Sequence, residues 1–326
     1  MFNSFYKNQL NDQEKIIYNK LLDGLKNMSP SISFISKVEI DVMKYFEYVL
    51  MDHVDIYYTY QFNYTYDYET KVYNIMPVYT IDSYLKNDYD TRIKAAKLKI
   101  VKEVKSMNKW DAVLNLHDYI CKNVKYLDFG DNCHTLLGPL IQGRGVCDGI
   151  SKMFKYICND IFVQCIYTCG IATGGVNQKT EGHAWNKVNL DNEWYNMDVT
   201  FDIGGTQCDC ISHTYFMADD NLLKLSHKET SAAKMLKCNS KNLSYYKIQN
   251  NESSSDKETI ELIKKNIKHN VLNFEIKLNY LNINDNIEKV ADKCIKKALK
   301  ELYIGASYTI SYGQQSDTVI ISIITK

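Results

Sequence analysis

The sequence has no net charge: Lys+Arg and Asp+Glu number 39 each. No global field therefore draws the chain to nucleic acid or to an anionic membrane, and neither is expected as a partner. It also lacks any apolar run of the length a membrane-spanning helix needs. The opening residues, MFNSFYKNQLNDQEKIIYNK, carry no apolar core ahead of a small-residue cleavage site, so they do not read as a signal peptide. A disulfide framework is missing as well. The 10 cysteines are spread over 326 residues, several of them on apolar helical stripes, which suits reduced, buried thiols in a cytoplasmic protein. An exported protein with a trimmed leader would show the same start.

What is present is ordinary in bulk and odd in one residue. Apolar residues make up 45% and charged residues 24% of a chain long enough for one large domain or two smaller ones. Tyrosine, however, numbers 26 against 3 Pro and 3 Trp. Many of these tyrosines fall in alternating runs such as IYYTYQFNYTY, which read as strands with half-buried rings. A carbohydrate- or peptide-binding face would use such rings too.

Periodicity and punctuation predict a helix over 11–27, capped by Asn11 with Glu14 three residues on. A strand over 31–36, a helix over 39–50 and strands over 56–66 and 71–80 follow. Further helices are expected over 109–124 and from Cys147, and strands near 163–170, 183–190 and 194–200. The polar, Ser/Asn-rich stretch 238–256 reads as a linker. Beyond it, 257–326 reads as helix, strand, helix, strand, strand, and the last four repeat the order of 31–80. The fold class is α+β, with an N-terminal module over 1–100, a core over 101–237 and a C-terminal module over 257–326.

The chemistry concentrates in two strings. In GRGVCDGISKMFKYICND, Gly143 and Gly145 allow a tight path into a helix beginning at Cys147. Ile150, Phe154, Ile157 and Cys158 recur at helical spacing, so Cys147 starts the core-facing stripe. A thiol at a helix N-terminus meets the positive end of the dipole, and the unpaired N–H groups there suit an oxyanion. A buried structural cysteine is the plain alternative. The partners come 36 and 51 residues later in GHAWNKVNLDNEWYNMDVTFD. Asp191-Asn192 suits a two-residue hairpin turn, and in that register His183 and Asp198 share a face as diagonal neighbours. A base is thereby paired with an orienting acid.

GRGVCDG, GHAWNKV and WYNMDVTFD together resemble the three motifs of the transglutaminase-like superfamily, in that order. The likeness extends upstream to LHDYICKNVKY and downstream to SHTYF…DD…H, over about 110–227. It implies a papain-like core of helices packed on an antiparallel sheet. It also implies that Cys147 attacks an amide carbonyl, His183 shuttles the proton and Asp198 orients the imidazole. The resulting thioester passes its acyl group to water or to an amine. The expected activity is a thiol-dependent amide hydrolase or acyl transferase acting on peptide or protein amides, with no cofactor. An inactive binding or scaffold protein that keeps the fold is the alternative.

Lesser candidates surround this set. Gln142, five residues before Cys147, offers a side-chain amide for an oxyanion, and Trp185 a ring to shield His183 and Asp198 from water. His117 reads as a buried, hydrogen-bonded structural histidine, and Cys133-His134 precedes the nucleophile in a loop. Cys208, Cys210 and His213 in CDCISH fall short of the four ligands of a closed zinc site, and no metal is expected. His227 matches the superfamily pattern without a derivable role. The Gly-rich segment 171–182 reads as a mobile cover leading into His183.

Overall fold

The computed structural model describes residues 4–130, 132–174, 179–204, 211–281, 285–312 and 317–325. Helix α1 (Phe5–Asn8) is followed by α2 (Asp12–Lys26). Asn11 caps α2 as the sequence predicts: its side chain accepts the Glu14 N–H at 3.0 Å, and the Glu14 carboxylate accepts the Asn11 N–H at 2.9 Å. Then come β1 (Ile32–Ile35), α3 (Val42–Asp52), β2 (Thr59–Asp67), β3 (Val72–Tyr79), α4 (Ser83–Val104) and α5 (Lys109–Asn123). The short strand β4 (Lys125–Tyr126), a π-helical turn at Gly138–Gln142 and β5 (Arg144–Gly145) lead into α6 (Cys147–Asp160). Next are β6 (Gln164–Gly174), β7 (Lys179–Leu190), β8 (Glu193–Met197), α7 (Val199–Gly204), α8 (Asp220–Leu223) and β9 (His227–Glu229). A 3-10 turn at Ala232–Met235, α9 (Tyr245–Ile248) and β10 (Glu252–Ser253) follow. The last elements are α10 (Asp256–Lys268), β11 (Asn273–Leu278), α11 (Ile287–Leu302), β12 (Ala306–Tyr312) and β13 (Thr318–Thr325). Helix and strand are thus mixed throughout. Among the described residues no helix is long and apolar enough to cross a membrane.

The chain packs as two compact units. The first comprises Met1–Gly170, His183–Leu190 and Glu229–Leu236; the second comprises Ile171–Gly182, Asp191–Lys228 and Lys237–Lys326. In the first, β1, β2 and β3 form an antiparallel sheet in the order β1-β3-β2. Val42, Tyr45, Phe46 and Val49 of α3 and Leu21 and Leu25 of α2 are buried in the same core as Phe34, Tyr73 and Ile75. Tyr73 stacks on Phe34 at 5.5 Å and on Tyr66 at 4.3 Å, so part of the tyrosine excess serves strand packing.

In the second unit, β10, β11, β13 and β12 form a sheet in that order, with β10 parallel to β11 and the other pairs antiparallel. Ile260, Ile263, Cys294, Ile295 and Ala298 from α10 and α11 bury one face against Ile276, Val319 and Ile321. The repetition read in the sequence extends to topology. The run β11-α11-β12-β13 has strand order β11-β13-β12, as β1-α3-β2-β3 has β1-β3-β2.

Two segments differ from expectation. The stretch 238–256, read as a linker, carries α9 and β10, and Cys238, Tyr246 and Ser253 within it are buried. The expected cover 171–182 is mostly strand: β6 runs to Gly174 and β7 begins at Lys179, with 175–178 outside the described residues. The hydroxyls of Thr173 and Thr180 meet at 2.6 Å there. Threonine at facing strand positions favours this extension over a loop.

The start of α6 is seated by a close approach. A Cβ at Gly149 would lie 2.3 Å from the Cys133 carbonyl oxygen and 2.8 Å from that of Thr135. Backbone atoms cannot yield cheaply, so Gly149→Ala should lower stability by about 1–3 kcal/mol, the range for overpacking a tight site. Chemical denaturation of the two proteins measures the difference.

Candidate active site

Three local features deliver the chain to Cys147. Gly143 ends the π-helical turn in the left-handed region, φ 65°. Arg144–Gly145 then pairs in parallel with Lys125–Tyr126. Val146, extended at φ −104° and ψ 179°, donates its N–H to the Cys133 carbonyl at 3.1 Å and caps the helix. Cys147 is therefore the first residue of α6, half-buried, as the glycine spacing predicts. The stripe behind it is core: Ile150, Phe154, Ile157 and Cys158 are all 0% exposed.

Helix α6 is fastened to its neighbours by its own polar side chains. Tyr167 on β6 donates its hydroxyl to Asp148 at 2.9 Å, and Lys152 pairs with the same carboxylate at 2.8 Å. One turn after Cys147, Ser151 donates to the carbonyl of Ala184 at 3.0 Å. Asn186 returns a bond from its side-chain amide to the carbonyl of Ser151 at 3.1 Å. The strand held by these two bonds is β7, which carries His183 immediately before Ala184. His183 is buried, its ring stacked beside that of Trp185 at 6.0 Å and 18°. Gln142 is exposed at the end of the π-helical turn.

Asp198 belongs to the second unit. Asp191 and Asn192 both adopt positive φ, 54° and 64°, the pattern of a type I′ turn expected for that pair. Strand β8 stops at Met197, earlier than expected, because the next residues turn into α7. Asp198 caps that helix, its Oδ1 accepting the Phe201 N–H at 3.1 Å. Its Oδ2 lies 2.9 Å from Nε2 of His227. Four residues on, Asp202 is also buried and accepts from the Ser212 hydroxyl at 3.0 Å and the Tyr215 N–H at 3.1 Å. Sequence reasoning gave no role to His227 and missed Asp202. The signal for His227 was its place in the downstream string, whereas nothing local marks Asp202.

A helix-start thiol and a buried imidazole thus lie on two fastened elements of one unit. Residues 96–199 match the sequence model of the family described as the transglutaminase-like superfamily. The chain carries a transglutaminase-like domain. Members of this superfamily are typically cysteine-dependent enzymes. The match contains Cys147, His183 and Asp198 and ends before His227. No curated protein matches the chain.

Solved structures resemble it distantly. One is a protein from Cytophaga hutchinsonii provisionally described as a cysteine protease. It is 14% identical, with a TM-score of 0.29 over 43% of this chain and 61% of its own. Another, described as a TGase, is 14% identical with a TM-score of 0.31 over 57% of this chain and 54% of its own. The chain thus spans 61% and 54% of the lengths of these two proteins. At such scores the likenesses carry no argument.

The remaining candidates resolve by their partners. His117 is 0% exposed with Nδ1 3.0 Å from the Asp118 carboxylate, as expected of a structural histidine. Cys208 and Cys210 lie outside the described residues. His213 sits with Nδ1 2.7 Å from Glu275 and its ring stacked on Tyr245 at 3.7 Å. Asp128, Cys133 and His134, near the transglutaminase-like helix start, hold ligand atoms within 4.8 Å of one another. Cys133 donates to Asp128 at 3.3 Å, and burial pushes its thiol up.

Burial sorts the thiols by reactivity. It pushes Cys169 and Cys294 each up to about 11 and Cys158 well above its ordinary value. At pH 8 a thiol of that kind is thiolate in only about one molecule per thousand. Half-buried Cys147 should therefore alkylate well before Cys169 and Cys294 under native conditions. Site-resolved mass spectrometry after brief iodoacetamide treatment reads the order directly.

Proposed function

We propose that the chain is a thiol-dependent amide hydrolase or acyl transferase, peptidase-like in character, working through a thioester on Cys147. The observation that carries this reading is the fastening of the Cys147 helix to the His183 strand through Ser151, Ala184 and Asn186. A half-buried thiol heads α6, where the first N–H groups have no partner inside the helix and suit an oxyanion. Gln142 is exposed, so those backbone groups are the proposed donors. We read the surrounding core as papain-like.

In the proposed cycle the Cys147 sulfur attacks the carbonyl carbon of a peptide or protein amide. A C–S bond forms as the carbonyl electrons move onto oxygen. His183 holds the thiol proton and delivers it to the leaving nitrogen as the C–N bond breaks. Water, or an amine, then attacks the thioester carbonyl as His183 takes its proton; the C–S bond breaks, the acid or new amide leaves, and His183 returns the proton to the sulfur. Asp198 takes the role of orienting the His183 imidazole. Trp185, wholly buried beside that ring, keeps water from it. Water is the acceptor by default, since it is always at high concentration.

A peptide library incubated with and without excess primary amine, and read by mass, tests the reading. Cleavage or deamidation is expected, and Cys147→Ala should reduce it by at least about a thousandfold. Predominant amine incorporation would reassign the chain to acyl transfer. An absence of turnover, with Cys147 unreactive, would make it a binding or scaffold protein instead.

A further inference from the structure

We infer that His227 is a positioning residue of this site, holding the Asp198 carboxylate from behind through a one-directional chain of hydrogen bonds. The inference rests on the reading in which Asp198 orients His183. It begins from a buried ring: the side chains of His227 and Asp198 are 0% and 1% exposed, and Nε2 lies 2.9 Å from Oδ2.

The donors and acceptors of this chain admit one consistent assignment for a neutral ring. An ionised carboxylate only accepts, so Nε2 of His227 carries the proton. Nδ1 is then an acceptor, and the hydroxyl of Ser226, 2.7 Å away, must donate to it. The Ser226 oxygen in turn lies 3.1 Å from the hydroxyl of Tyr215. Burial, with Asp198 and Asp202 nearby, pushes the Tyr215 phenol up to about 12, so it keeps its proton and donates. Each hydroxyl thus gives one bond toward Asp198, and no donor faces a donor. The ring itself is fixed by Phe201, with centroids 4.5 Å apart, and by Tyr215 at 5.6 Å.

Asp198 gains from this what an orienting acid needs. Oδ1 is held by the Phe201 N–H and Oδ2 by His227, so the plane of the carboxylate is set by two bonds on different elements. A histidine kept only for packing would have no need of a proton-ordered chain ending on the acid.

The test reads Cys147 rather than an unidentified substrate. Site-resolved alkylation of Cys147 by iodoacetamide is followed against pH in the full chain and in D198A, H227A, H227N and H227Q, with thermal denaturation as the fold control. H227A should slow labelling at neutral pH by on the order of tenfold or more and move its pH profile in the direction that D198A moves it. H227Q places an amide N–H near the position of Nε2 and should recover most of the rate. H227N is too short to reach Oδ2 and should not. If H227A does not fold, the contrast between Gln and Asn decides. A normal profile in H227A or H227N, with D198A impaired, overturns the positioning role and leaves the Cys–His–Asp reading standing. A normal profile in D198A sinks that reading, and the role of His227 with it.

Discussion

The carbonyl of Cys133 is a crowded point in the transglutaminase-like domain, and the start of α6 is seated on it. Val146 donates to it at 3.1 Å, and at Gly149 there is room for a hydrogen but not for a methyl group. These two contacts fix where α6 begins and how closely it lies on the loop before it. The rest of the chain up to the thiol follows from that seat. Gly143 must turn left-handed to bring Arg144–Gly145 beside β4, and a Cβ at Gly145 would lie only 3.0 Å from Cδ of Pro139. A nucleophile at a helix start needs a rigid entry, because a shift of one residue in the start would rotate the thiol by about 100° around the axis.

Buried polar groups tie the first unit together alongside its apolar core. Lys187, 1% exposed, places its ammonium 2.8 Å from Glu229 and donates to the carbonyls of Ala233 at 3.0 Å and Leu236 at 2.8 Å. Glu229 also accepts from Thr168 at 2.5 Å. A buried ion pair is worth little unless its remaining lone pairs and protons are satisfied, and here they are. This explains why the short segment Glu229–Leu236 groups with β7 and not with the residues on either side of it. Asp52 does the same for the N-terminus, accepting from the N–H groups of Tyr6 and Lys7 and from the Tyr18 hydroxyl at 2.9–3.1 Å. Burial still raises its carboxyl above the usual range.

What the sequence made legible was whatever depends on local rules. The Asn11 capping box, the α6 stripe, the type I′ turn at Asp191-Asn192 and the strand-helix-strand-strand order of both modules are properties of neighbouring residues. The misreadings lie where polarity was taken for exposure. The stretch 238–256 looks solvated, yet Tyr246 anchors it by packing next to Glu275, and Glu252–Ser253 pairs with β11. Segment 171–182 looks like a loop because glycine and threonine mark it, but strands accept both when facing threonines bond across them. The long-range partners of Asp198 and Asp202 lie beyond any local rule. His227 is 29 residues away in sequence, and Asp202 is addressed by Ser212 and Tyr215 from a later segment.

The position of Asp198 joins these strands of argument. Had β8 continued through it, alternation alone would have set its direction, and its carboxylate would have been free to rotate about two side-chain bonds. Ending the strand at Met197 lets the acid cap α7, which commits Oδ1 to a backbone donor. The same helix brings Phe201 against the ring of His227, so the residue that fixes one oxygen also packs the group that fixes the other. A carboxylate held this way owes its rigidity to a short helix encoded in the residues that follow it, VTFD, and to the contact of Phe201 from that helix with the ring of His227. The string that resembles a catalytic motif is therefore also the string that folds the support for its own carboxylate.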